Sequence, residues 1–180
     1  MKQRFAEDYY RMTGSPFKPG FKSWITLLYS HQIRYMYWWR KESEKHTLFR
    51  RYKLFRYSRK YGLEISPSAK IGKGLYLGHP YNITVGGDAV LGNNINLNKG
   101  CTIGRENRGQ RAGVPTIGNC VFVGINATIV GNIRIGDDVF IAPNSFVNMD
   151  VPDHSVVVGN PAVIHPKKGA TDSYVNFLVQ

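Results

Sequence analysis

The chain has 180 residues, 42% of them hydrophobic and 19 of them glycine, with 24 Lys and Arg against 12 Asp and Glu for a formal net charge of +12. This suits one globular domain with an appendage and argues against a disordered chain; no stretch approaches the roughly 18 to 20 uncharged apolar residues needed to cross a bilayer. The charge is uneven, with 15 basic and 4 acidic residues in positions 1–60 against 9 and 8 in 61–180, so the basicity belongs to an N-terminal head and suggests an anionic partner or surface.

Glu7 and Asp8 fall where a signal peptide needs its apolar segment, so a cytoplasmic location is expected. "TGSPFKPG" (13–20) breaks any helix, which makes the first twenty residues an arm or a short helix followed by a turn. "SWITLLYSHQIRYMYWWRKES" (23–43) predicts one helix with Ser23 as cap and a stripe of Trp24, Leu28, Ile33, Met36 and Tyr37. "HTLFRRYKLFRYSRKYG" (46–62) predicts a second, with Leu48, Tyr52 and Phe55 on one stripe and Gly62 as its stop. Residues 33–60 interleave ten Arg and Lys with Tyr, Trp and Phe, a pattern that suits either packing within an assembly or peripheral contact with an anionic membrane. No motif that reads nucleic acid is present.

After Gly62 the period becomes six. Aliphatic residues stand at Ile65, Ile71 and Leu77, then, shifted by two, at Val85, Leu91, Leu97 and Ile103, and again at Ile117, Val123, Ile129, Ile135, Ile141 and Val147. Gly often follows the aliphatic, and small or branched residues such as Ala69, Ala89, Cys101, Ala127 and Ser145 fill the fourth place after it. Period six fits neither a helix nor an alternating strand. It predicts a parallel solenoid in which three hexapeptides make a triangular coil, with aliphatic ladders inside and with Gly and Asn taking turns of positive φ. The predicted fold is mainly β: a left-handed parallel β-helix over 63–168, preceded by a helical segment (1–62) and followed by a tail (169–180). Two interruptions matter: the stretch after His79, and "GRENRGQRAGVP" (104–115), which reads as an extruded loop at about 104–116. Cys101 and Cys120 have no CxxC spacing and are read as reduced, packed thiols.

"LEISPSAKIGKGLYLGHPYNITVGGDAVLGNNINLNKGCTIG" and the closing "VVGNPAVI" resemble hexapeptide-repeat acyltransferases, in particular the serine O-acetyltransferases and their relatives in polysaccharide biosynthesis. The resemblance implies a homotrimer, acetyl-CoA as donor, and active sites between adjacent subunits. It makes His79 the general base and Glu64 the carboxylate that orients it. The residue types suit the task, since a neutral imidazole can take the proton of a hydroxyl as it attacks a thioester. It also puts Gly124 and Ala142 beside the donor groove, with Lys167 and Lys168 as cations for the nucleotide phosphates. Only His79 falls within the coils, so a three-histidine zinc site is not expected.

The chain departs from the serine enzymes at two substrate contacts. Val114 replaces a second histidine at the end of the loop, and Gly78 replaces an acidic residue before the base. Because a desolvated zwitterion needs charged partners, these losses favour a neutral acceptor. The expectation is therefore an acetyl-CoA-dependent O-acetyltransferase acting on a saccharide hydroxyl, with Arg105, Arg108 and Arg111 of the loop touching acceptor or phosphate. The alternatives are a serine O-acetyltransferase of cysteine biosynthesis and a non-catalytic, membrane-docked β-helix.

Overall fold

A computed structural model describes residues 2–180. Four helices, α1 (Lys2–Thr13), α2 (Phe21–Tyr29), α3 (His31–Glu44) and α4 (Leu48–Tyr61), precede five coils of a left-handed parallel β-helix. Strands are numbered in chain order. The first face of the prism stacks β1 (Glu64–Ile65), β4 (Thr84–Val85), β7 (Thr102–Gly104), β10 (Thr128–Val130) and β13 (Phe146–Val147). The second stacks β2 (Lys70–Ile71), β5 (Val90–Leu91), β8 (Thr116–Ile117) and β11 (Arg134–Ile135). The third stacks β3 (Tyr76–Gly78), β6 (Asn96–Asn98), β9 (Val121–Val123), β12 (Val139–Ile141) and β14 (Ser155–Val158), closed by the antiparallel β15 (Val163–Pro166).

The hexapeptide ladder is the core. Each of the thirteen aliphatics named above is at most 4% exposed, and Ala69, Ala89, Cys101, Ala127 and Ser145 are buried beside them. Both cysteines are free, Cys101 buried and Cys120 half-buried.

The repeat glycines differ from expectation. Gly72, Gly92, Gly118 and Gly136 do not have positive φ; they form a stack in which a Cβ on Gly92 would lie 2.5 Å from the Gly118 carbonyl oxygen and one on Gly118 2.7 Å from that of Gly136. Close approach of backbones, not turn geometry, requires them. Left-handed backbone instead fills two other corner columns. Asn82, Gly100, Asn126 and Asn144 turn from the third face to the first, in a column that Gly62 heads at the end of α4, and Gly74, Asn94, Cys120, Asp138 and His154 turn from the second to the third. Along the latter corner runs a ladder of side-chain caps: the Lys73 N–H donates to Asn93 Oδ1, that of Asn93 to Asn119, that of Asn119 to Asp137 and that of Asp137 to Asp153.

The helical head also differs. The single helix expected over 23–43 is two, because Ser30 takes an extended conformation and its side chain caps the Ile33 N–H at the start of α3. The stripe of Leu48, Tyr52 and Phe55 faces solvent, and α4 packs instead through Leu54, Tyr57 and Tyr61. Thr47 caps the start of α4 and Gly62 ends it in the left-handed region.

What the head does is close the open edge of the first coil, whose backbone groups otherwise lack partners. Arg40 donates to the carbonyls of Ile71 and Gly72 and forms a buried pair with Asp8 at 2.7 Å, while Asp8 accepts from the Leu75 N–H. Burial pushes the Asp8 carboxyl up and the Arg40 guanidinium opposes it. Trp39 Nε1 donates to the Ile65 carbonyl, the Ile65 N–H donates to Tyr35 Oη, and Arg11 donates to the Gly74 carbonyl and to Asn96 Oδ1. Burial lowers the Arg11 guanidinium to about 10. Removing one partner of such a buried pair typically costs about 3–5 kcal/mol, so the head is a structural cap.

At the other end Asp138 ties down the tail. It accepts from His154 Nδ1 at 2.8 Å, from the Gly169, Ala170 and Thr171 N–H groups, and from Thr171 Oγ1. Burial acts to raise its carboxyl, but the hydrogen bonds from His154, Thr171 and Ala170 together hold it down at about 2, against an ordinary 3.8. Because the folded value is depressed, this stabilisation is complete above about pH 4 and is lost as pH falls through about 2. The Thr171 amide is therefore expected to lose protection from hydrogen exchange between those values, and to be unprotected at neutral pH in Asp138→Asn.

Candidate active site

His79 stands where the coil departs from its period. In the later coils one residue separates the position in register with Gly78 (Asn98, Gly124, Ala142) from the left-handed corner residue: Lys99 before Gly100, Ile125 before Asn126, Pro143 before Asn144. In the first coil there are three, His79, Pro80 and Tyr81, before Asn82. The two extra residues explain why Glu64 pairs with Thr84 rather than with residue 82. The surplus backbone leaves the prism as a tight turn, with His79 itself at φ 46° and its carbonyl accepting from the Tyr81 N–H at 2.7 Å. A non-glycine residue at positive φ is uncommon, although Asn, Asp and His adopt it more readily than others, and here the surroundings fix it.

The Gly78 carbonyl accepts from the Lys99 N–H and the Tyr81 carbonyl from the Gly100 N–H, pinning both ends to the next coil. Under the turn the His31 ring stacks on Tyr61 at 4.3 Å and meets Tyr81 at 5.4 Å, facing the Pro80 carbonyl. Burial lowers the His31 imidazole, with Arg34 and Lys60 adding to the effect. The His79 ring is exposed on the single chain.

Glu64 lies at the same corner, its N–H donating to the Ile83 carbonyl at the foot of the turn. Its carboxylate is held by Ser58 Oγ at 2.9 Å, and no hydrogen bond joins it to His79. It borders a cavity of about 400 Å³ between α4 and the first coil.

The other expected residues divide between edges of the prism. Gly78, Asn98, Gly124 and Ala142 follow one another from coil to coil beside the His79 turn. Gly124 leaves no room for a Cβ, which would lie 2.6 Å from Pro143 N. Lys167 and Lys168 are exposed on the far edge of the third face, because β15 runs antiparallel to β14 and delivers Lys167 to the His154 carbonyl.

The loop, predicted as extruded, folds back on the corner between the first and second faces, a face away from His79. Glu106 and Gly113 exchange backbone hydrogen bonds across it, and the Arg111 carbonyl accepts from the Asn132 N–H. Arg108 and Arg111 line a cavity of about 360 Å³ together with Glu106, Phe146 and Asn148. Arg105 is apart from them, in a surface pair with Asp88 at 3.3 Å.

A family model described as "Bacterial transferase hexapeptide (six repeats)" matches residues 115–148. The chain is 40% identical over 107 residues to serine acetyltransferase 4 of Arabidopsis thaliana, covering 59% of this chain and 30% of that protein, so it spans less than a third of that relative's length. The crystal structure of the Neisseria gonorrhoeae serine acetyltransferase in complex with serine superposes with a TM-score of 0.75 at 32% identity, over 91% of this chain and 68% of that one. The Brucella abortus serine acetyltransferase in complex with coenzyme A gives 0.78 at 26% identity, over 93% and 68%.

These findings overturn the saccharide acceptor expected from Gly78 and Val114, since the matching proteins are serine acetyltransferases. The physical reason is that two positions are too local a guide: the loop cavity presents charge of both signs, Glu106 beside Arg108 and Arg111, so uncharged residues at 78 and 114 do not by themselves exclude a zwitterion. Gly78 itself has a local explanation, because a Cβ there would lie 2.1 Å from Asn98 Oδ1, and Asn98 is fixed by donating to the Val123 carbonyl. Gly78→Asp alone should therefore lower unfolding stability by about 1–3 kcal/mol, as overpacking does, and Asn98→Ala in the same chain should restore most of it in a chemical denaturation experiment.

Proposed function

We propose that this hexapeptide-repeat β-helix transfers an acetyl group from acetyl-CoA to the hydroxyl of serine. The observation that carries the reading is the His79 turn, a strained corner insertion that holds one imidazole outward on the edge shared with Gly124 and Ala142. His79 takes the serine hydroxyl proton as the oxygen attacks the thioester carbonyl. The new ester bond forms, the carbon–sulfur bond breaks, and the imidazolium returns its proton to the departing thiolate. Glu64 is the carboxylate that orients the ring. This requires the exposed turn to be pressed toward β1 by a neighbouring protomer, with Glu64 released from Ser58.

Serine is a zwitterion, and its charges need partners once water is excluded. Glu106 has one oxygen engaged by the N–H groups of Asn107 and Arg108 and a second to offer an ammonium; Arg108 and Arg111 suit a carboxylate. These residues lie a face away from His79 in the same chain. One protomer's loop must therefore meet another's His79, which a ring of three with head-to-tail contacts provides. The pantetheine arm would follow the edge marked by Gly124 and Ala142, which continues from coil to coil beside the His79 turn. Lys167 and Lys168, on the far edge, meet a phosphate only across a subunit contact.

The test is CoA release followed with a thiol reagent. Serine should elicit it, and His79→Ala should reduce it by roughly 10²–10⁴-fold with assembly unchanged. The Arg108→Ala/Arg111→Ala double variant should also be nearly inactive, yet refolding the two inactive proteins together should restore activity at about a quarter of the sites, as random mixing around such a ring requires. No release with serine, or no recovery on mixing, overturns the acceptor or the shared site respectively.

A further inference from the structure

The helical head contains a second arrangement that acetyl transfer does not use. Between α3 and α4 a cavity of about 220 Å³ is lined by Arg34, Lys53, Arg56 and Lys60 and by the rings of Tyr57 and Tyr61. No carboxylate lines it, and among the described residues none of the four cations forms an ion pair. Lys53 Nζ lies over the rings of Trp38 and Phe49 and Lys60 Nζ over that of Tyr61, while Arg34 Nε is buried with no hydrogen-bond partner.

Elsewhere the chain matches its buried cations completely. Arg40 has Asp8 and two carbonyls, and Arg11 has a carbonyl and an amide oxygen. In the α3–α4 cluster Arg34 Nε is buried without such a partner, Lys53 is half-buried, and Arg56 and Lys60 are exposed. A buried charged donor left unsatisfied costs at least about 1–3 kcal/mol, and four like charges around one cavity repel one another. An anion relieves both.

We propose that this cavity binds a phosphate or diphosphate group through Arg34, Lys53, Arg56 and Lys60. A single carboxylate has one negative charge and two oxygens, too few for donors arriving from two helices. A phosphate offers up to two charges and several acceptor oxygens, and arginine forks match its geometry. The volume is that of about seven waters, enough for one or two phosphate groups with part of their hydration. Tyr61 connects the cavity to the active-site turn, since its ring stacks on His31 and touches Tyr81 at 5.6 Å, two residues from His79.

The phosphate can belong to a soluble metabolite or to the headgroup of an anionic lipid. For the second source α4 also exposes Leu48, Phe49, Tyr52 and Phe55. Inorganic pyrophosphate and vesicles containing phosphatidic acid, each added to the full chain without acetyl-CoA, distinguish the two. Pyrophosphate should bind saturably by calorimetry. It should also raise the His31 imidazole in an NMR titration, because the anion offsets the Arg34 and Lys60 charges that depress it.

Arg56→Ala/Lys60→Ala should weaken binding at least tenfold while keeping the wild-type circular dichroism. Arg59→Ala, whose guanidinium lies over Phe55 outside the cavity, should leave it unchanged. Vesicle binding that is lost in the double variant and displaced by pyrophosphate assigns the site to a headgroup; pyrophosphate binding without vesicle binding assigns it to a free ligand. The proposal is overturned if neither probe binds saturably, if Arg59→Ala loses as much as the double variant, or if binding leaves His31 unmoved. Because no acetyl donor is present, these outcomes are independent of the acceptor assignment.

Discussion

Each inner coil of this prism hydrogen-bonds through its backbone to the coil on either side, and that register leaves only one place to change length. An extra residue within a face would break the ladder and turn the next aliphatic outward; at a corner it is expelled as a turn or loop. The register records each such event. Glu64 faces Thr84, twenty residues on; Val90 faces Thr116, twenty-six on; Thr128 faces Phe146, eighteen on; Val139 faces Ser155, sixteen on. The first of these creates the His79 turn and the second creates the loop with Arg108 and Arg111. The functional candidates are thus consequences of the stacking rule, placed where the scaffold tolerates irregularity.

The same rule makes both ends of the solenoid problems in hydrogen bonding. The first coil has no neighbour below it, and the head supplies one from side chains: Tyr35, Trp39, Arg40, Arg11 and Asp8 all bond to backbone groups of residues 65–75. The last coil is covered by β15 and by a tail that hangs from Asp138. The head therefore has two surfaces with different chemistry. Toward the coils Arg40 and Arg11 are paired with Asp8, Asn96 and backbone carbonyls, whereas the cavity between α3 and α4 gathers four cations with no carboxylate in its lining.

The hexapeptide ladder was legible because one physical requirement, an apolar side chain inside each strand, repeats without exception from Ile65 to Val147. Glycine was misread because two requirements, positive φ and the absence of a Cβ, use the same residue. Only the coordinates separate Gly100, which needs the first, from Gly92, which needs the second. In the head, an apolar stripe on a helix does not say which side is buried when aromatic residues lie all around it. Tyr57 and Tyr61 of α4 pack inward while Leu48, Tyr52 and Phe55 do not. The break at Ser30 was hidden because a serine inside a helical pattern serves equally as a solvent-facing residue or as the cap of a new helix.

At the candidate site, the irregularity at His79 was legible in the period of the sequence, while the saccharide acceptor was misjudged, for a reason of geometry. Reading Gly78 and Val114 as lost charges treats each binding contact as the property of one sequence position. A solenoid instead builds its sites from different coils and edges, and long side chains such as Arg111 and Glu106 bring charge to places their own backbone does not occupy. Gly78 is set by Asn98 on the neighbouring coil, so its identity reports packing along the edge more than substrate charge. It follows that a residue missing from one column carries little information about the ligand until the columns and loops beside it have been placed in the same space.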